Sequence, residues 1–229
     1  MIGSPPSHYL KGEPGFELWP GSPLFSCYYD YDQLRDHKLT GLTDQQKALW
    51  LIKRIELTFL DPLRAVFLDP QSQTFKNLMS DELVPPRSFS IAVMSVMLNG
   101  AEALGSFLRP DLGSNGGDNK RMFESFVEKY LPAWWRKPVP GGNPDITFIL
   151  WEYFRNGIAH GFQITPPGSL EFLEAEPFRW ESQMRVVQVC PLHFFNDLDL
   201  GVRNYCSDLR SKQGVLDKFI PRFKSVYPH

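Results

Sequence analysis

The stretch "WEYFRNGIAHGF", residues 151–162, runs an apolar helical pattern into Arg155, Asn156 and His160, with glycines at 157 and 161. Upstream, Ile146, Ile149, Leu150, Tyr153, Phe154 and Gly157 keep the period of a buried helix face. Asn143 reads as its N-cap, Pro144 as its first residue, and Asp145 complements the dipole. Asn156 and His160 are four apart and share a face, with Glu152 one turn back. Arg155 is long enough to fold back towards Glu152. The four side chains therefore fit one polar stripe at a helix end, and Gly157 and Gly161 leave room beside it for a second backbone or a ligand.

Two readings suit these residue types. In the first, Arg and His in a last helical turn complement the dipole and donate to free carbonyls, and Gly161 ends the helix. In the second they form a site for phosphodiester cleavage without a metal. Histidine moves a proton near neutral pH, arginine holds a phosphate and its developing charge, and asparagine positions either. Residue types alone favour the helix end. No cluster with metal-ligand spacing occurs, nor a P-loop, a G-x-S-x-G or an H-E-x-x-H.

Working outward, "TDQQKALWLIKRIELTFL" predicts a helix from Thr43 to Leu60 with a Thr43–Gln46 capping box. "DPLRAVFLDP" restarts a short helix with Asp61 as cap and Pro62 in the first turn. The most apolar helix spans Ser88–Leu108; Ala92, Ser95, Gly100, Ala101 and Gly105 allow close contacts along it. Glu102 is embedded there, read as an exposed face or a partner for a nearby Arg, or else as a residue that orients the Arg155 site. After a flexible "RPDLGSNGGDNK", residues 119–131 form a helix that "PAWWRKPVPGGNP" breaks. "TPPGSLEF" is turn chemistry, and residues 170–190 give two or three short strands, most clearly "MRVVQVC". Two amphipathic helices end the chain, the second kinked or broken near Pro221.

The domain division is an irregular arm, 1–40, rich in proline and aromatic residues and packing its rings on the body, followed by one helical domain, 41–229, with the strand insert near 170–190. Net charge is −2 over 229 residues, so nucleic-acid binding needs a local patch. Residues 201–229 hold six basic residues against Asp208 and Asp217, most simply a solvated helix surface. Three scattered cysteines fit neither a disulfide framework nor zinc, and the odd count suggests a reducing cytosol. The first residues lack a signal-peptide pattern, and no stretch approaches the ~20 apolar residues of a membrane span. Cys190 and His193 in "CPLHFF" fit a nucleophile and base, or more simply a strand end and helix cap. Trp134 and Trp135 suit base stacking or, by default, packing. His8, His37 and His229 carry no pattern.

"FRNGIAH" matches the R-N-x-x-x-H form of the R-x4–6-H motif of the HEPN superfamily (higher eukaryotes and prokaryotes nucleotide-binding domain). The order of elements resembles bacterial HEPN-like proteins over roughly residues 43–165: a helix with "AEALG", then "RMFESFVEKYLPAWW", then "LWEYFRNGIAHGF". The resemblance implies a mainly α, HEPN-like helical bundle, here with a small β-strand insert and an N-terminal arm that depart from the pattern. It implies a homodimer in which two motif helices face each other, acting as a metal-independent endoribonuclease, with Arg155 on the scissile phosphate and His160 as acid/base. Asn156, Glu152 and Glu102 support them. RNA or a nucleotide is the implied ligand, an antitoxin a further partner for toxin members, and no cofactor, metal or membrane is called for. Inactive members serve as RNA-, nucleotide- or protein-binding modules. Arg155 and His160 are five apart, about 140° around one straight helix, which favours a site shared across a two-fold axis.

Overall fold

A computed structural model describes residues 16–17, 24–25, 41–67, 86–113, 115–139, 144–161, 163–171 and 176–227. Over these the chain is mainly α with a small sheet. Of the arm, two short antiparallel strands are described, β1 (Phe16–Glu17) and β2 (Leu24–Phe25). The expected packing of the arm's rings lies outside the described residues.

Helix α1 (Asp44–Ile55) starts with the expected capping box. The Gln46 amide donates to Thr43 Oγ1 at 3.3 Å, and the Thr43 amide donates to Gln46 Oε1 at 2.8 Å. The break expected at Asp61 does not occur. A π turn, Glu56–Leu60, carries α1 directly into α2 (Asp61–Phe67), and the Asp61 amide donates to the carbonyl of Glu56. Pro62 has no N–H for the carbonyl of Thr58, and a wider turn is one way a helix takes in such a residue without stopping. Asp61 therefore pairs sideways, accepting from Arg64 Nη1 at 2.8 Å.

Helix α3 (Pro86–Leu108) is 23 residues long. By length and composition the Ser90–Leu108 stretch could cross a membrane, with a mean hydropathy of 1.5, contrary to the expectation that no stretch would. Its apolar character has a local explanation: Met94, Met97, Leu98 and Ala101 are fully buried among other helices. Helix α4 (Gly116–Tyr130) begins three residues earlier than expected because Asn115 caps it, accepting from the Asp118 amide at 2.9 Å. The small residues of α3 do what their sizes suggest. A Cβ on Gly105 would overlap the Met122 carbonyl of α4, and one on Gly100 would strike the Phe59 ring.

A 3-10 turn (Ala133–Arg136) follows, and then the motif helix, which has three parts: α5 (Ile146–Ile149), a π segment (Leu150–Arg155) and α6 (Asn156–Gly161). Its cap is Asp145, which accepts from the Phe148 amide at 2.7 Å; Asn143 lies outside the described residues, and Pro144 precedes the helix instead of opening it. The Gly168–Ser169–Leu170 segment, expected as turn, is strand β3; it runs parallel to β5 (Val186–Val189), and β4 (Phe178–Glu181) pairs antiparallel on the other side. Val187 and Val189 face the core. Between them, buried Gln188 accepts from Arg179 at 3.1 and 2.9 Å.

Helices α7 (Pro191–Ser211) and α8 (Gln213–Val226) close the bundle. Helix α8 runs through Pro221 without the expected break. Pro221 and Asp217 are both exposed, so water can take the carbonyl bond that proline forfeits. Buried residues from every described helix form one continuous cluster, from Ala48 to Phe223. Asp199 of α7 ties it to α2: it accepts from Arg64 at 3.0 and 2.6 Å and from Arg203 at 2.6 Å.

Candidate functional site

Glu102 sits on α3 in an otherwise apolar run, where a carboxylate needs a partner. It finds Arg155. Arg155 Nε donates to Glu102 Oε2 at 3.0 Å, and Nη2 lies 2.9 Å from the same oxygen. The two side chains are 18% and 15% exposed, enough burial to strengthen their attraction and enough opening to admit a ligand. The guanidinium also lies over the Trp151 ring at 4.8 Å, a cation–π contact that fixes its plane.

Arg155 does not fold back on Glu152. Its Nη1 donates to Asn156 Oδ1 at 3.3 Å, and Asn156 Nδ2 donates to Glu152 Oε2 at 3.3 Å, the expected four-residue contact. Glu152 Oε1 takes Lys120 of α4 at 3.5 Å, and Lys120 Nζ stands 4.3 Å over the Phe148 ring. A chain of polar contacts thus links α3, the motif helix and α4, with two cations and two carboxylates. Lys120 and Trp151 are the members sequence reasoning missed. Nothing near Lys120 in sequence signals a partner 32 positions away; the aromatic at 151 is one turn before Arg155 and was legible as a stacking partner.

His160 stands apart from this network. It is exposed near the end of α6. The structure therefore brings together Glu102, Glu152, Arg155 and Asn156, and leaves His160 on the surface beyond them.

The space expected beside Gly157 is filled by the same chain. After the helix the backbone doubles back: the Gln163 amide donates to the Gly157 carbonyl at 3.4 Å, and the Thr165 amide to the Tyr153 carbonyl at 3.0 Å. A Cβ at Gly157 would lie 2.6 Å from the Gln163 carbonyl oxygen. Gly161 also faces Gln163, at 3.4 Å from a Cβ. Gly157 makes room for a returning loop, whereas a side chain at Gly161 would meet Gln163 only in ordinary contact. Gly157→Ala is therefore expected to lower stability by about 1–3 kcal/mol, read as the urea midpoint. An unchanged midpoint would show that the loop moves away at no cost.

The other candidates resolve into structure. Cys190 is 1% exposed at the start of α7, out of reach of a substrate. Burial pushes the Cys206 thiol up to about 11, well short of a reactive thiolate. Trp135 is fully buried and serves packing, whereas Trp134 is exposed; both donate to Asp197, at 2.8 and 3.1 Å respectively. Among the described residues no group of His, Cys, Asp and Glu could hold a metal ion. Most basic residues of the C-terminal helices face solvent as expected; Arg222 is the exception, half-buried between helices. No family model, no curated protein and no solved structure matches this chain.

Proposed function

We propose that the chain is a HEPN-like, metal-independent endoribonuclease whose site is completed between two copies. The observation that carries this is the state of Arg155. It is anchored by Glu102 and Trp151, yet its hydrogen bonds use only part of the donor set of a guanidinium. A fixed, partly exposed arginine with spare N–H groups suits a phosphate. The exposed His160 adds a proton carrier at the same helix end.

In the reaction, the ribose 2′-oxygen attacks phosphorus and the bond to the 5′-oxygen breaks. One histidine accepts the 2′-hydroxyl proton, and a proton is returned to the leaving 5′-oxygen. Arg155 balances the negative charge that builds on the phosphoryl oxygens. The product strand ends in a 2′,3′-cyclic phosphate, and no water or metal is consumed. A two-fold partner would bring a second Arg155 and His160 to the groove.

Incubation of the protein with mixed RNA in excess chelator tests this. Cleavage with cyclic-phosphate ends is expected, reduced at least about 100-fold in His160→Ala. Arg155→Ala and His160→Ala chains, each inactive alone, are expected to regain part of the activity when mixed, because one of the two shared sites is then intact. Absence of cleavage by the pure parent protein would overturn the reading.

One observation favours a second reading, an inactive RNA-, nucleotide- or protein-binding module on the same helices. The Arg155 guanidinium is already paired with the Glu102 carboxylate and set over the Trp151 ring, as a purely structural anchor would be. On that reading the protein binds but does not cleave, and the mixing experiment gives nothing.

A further inference from the structure

We propose that an open cavity between α1, the first π turn, α3, α4 and α8 is a binding site for a small organic acid with an apolar body, its carboxylate held by Arg54 and Arg222. The cavity measures about 440 Å³, within the range of small-molecule sites. Its walls are largely hydrocarbon, among them Leu51, Ile55, Phe59, Leu104, Phe107 and Met122. The charged residues lining it are Arg54, Arg222 and Glu102.

The charges do not cancel inside the cavity. Glu102 is committed to Arg155 on its far side. Neither Arg54 nor Arg222 has an ion pair among the described residues. Instead Arg54 rests its guanidinium 5.4 Å from the Trp50 ring centroid. Arg54 Nη1 and Arg222 Nε are both shut off from water without a hydrogen-bond partner. A buried, unpartnered N–H on a cation is costly, by more than for a neutral group. Two guanidiniums without an ion pair thus line one cavity, and an acidic ligand would accept charge-assisted hydrogen bonds from those of their N–H groups that face it. The hydrocarbon walls then take the rest of the molecule, so a bare inorganic anion would leave most of the cavity's apolar surface unused.

The π turn has a part in this. It places Thr58 and Phe59 on the cavity, and Gly100 lets the Phe59 ring lie directly against α3. Ala103 and Val226, both exposed, mark the side from which a ligand enters.

Calorimetric titration of the full chain with decanoate, decanol and inorganic phosphate tests the proposal. Decanoate is expected to fill a single saturable site, with decanol and phosphate each at least about tenfold weaker. Arg54→Gln and Arg222→Gln should each weaken decanoate about tenfold or more and leave decanol unchanged. Ala103→Trp, at an exposed position that can plug the cavity, should abolish binding with the melting temperature unchanged. His160→Ala should bind decanoate as the parent does, which separates this site from the cleavage reaction. Equal binding of decanoate and decanol, phosphate binding as tight as decanoate, or no saturable decanoate binding would each overturn it.

Discussion

Gly105→Leu yields no folded protein. At this position α3 and α4 touch backbone to backbone: a Cβ on Gly105 would overlap the Met122 carbonyl oxygen and stand 3.3 Å from the Met122 Cα. The obstacle is main chain inside a helix, so no rotamer change can relieve it. Met122 is itself buried, and Phe123, Phe126 and Val127 of the same helix are fully buried, so α4 cannot shift without opening the core. Ordinary overpacking costs about 1–3 kcal/mol because side chains absorb it. Here the helices must separate, and the loss approaches the whole ~5–15 kcal/mol by which domains are stable. Gly100→Ala is the control on the same helix. Its Cβ meets the half-buried ring of Phe59, which can turn. Circular dichroism and soluble yield should separate the two sharply. A Gly105→Leu protein that melts within a few degrees of the parent would show that α3 and α4 are held together in some looser way.

The parts of the fold legible in the sequence are those set by neighbours along the chain. The Thr43–Gln46 box needs only two side chains and a turn of helix, and it forms as read. The mainly helical pattern and the strand "VVQV" follow from periodicity and β-branched residues. Glu102 was legible for a different reason: a carboxylate in the most apolar helix calls for a solvent face or a nearby arginine, and the Arg155 site was one of the readings. What was not legible depends on distance or on small changes of register. Asp145, not Asn143, caps the motif helix, because both are competent caps and the sequence does not say where the chain turns. The two π turns do not show in the periodicity; one carries the chain past Pro62 and the other covers Trp151, Glu152 and Arg155. Gly157 was read as an opening because glycine marks close approach; that the approaching backbone is residues 163–165 is a tertiary fact. The Arg54–Arg222 cavity joins residues from opposite ends of the chain, and each arginine alone looks like a surface charge.

Glu102→Met is expected to cost about 2–4 kcal/mol of stability, because it leaves the Arg155 guanidinium partly buried with its anchor removed. The pair's residual exposure keeps the loss below that of a fully enclosed ion pair. Arg155→Met strands Glu102 in the same way and costs a similar amount. The double variant Glu102→Met/Arg155→Met should recover most of the loss, since two methionines fill the space of the pair and leave no charge to desolvate. Urea midpoints of the four proteins complete a double-mutant cycle, with a coupling of at least about 2 kcal/mol expected. The same four proteins separate structure from chemistry. If Arg155 exists only to hold α3 to the motif helix, the double variant keeps whatever RNA binding or cleavage the parent has. If Arg155 carries the phosphate, the double variant is as stable as the parent and inactive, and Glu102→Gln, which retains a weaker hydrogen bond, falls between. Single variants as stable as the parent would mean that water reaches this pair freely, and its anchoring role would then be lost together with the argument that the arginine is held ready for a substrate.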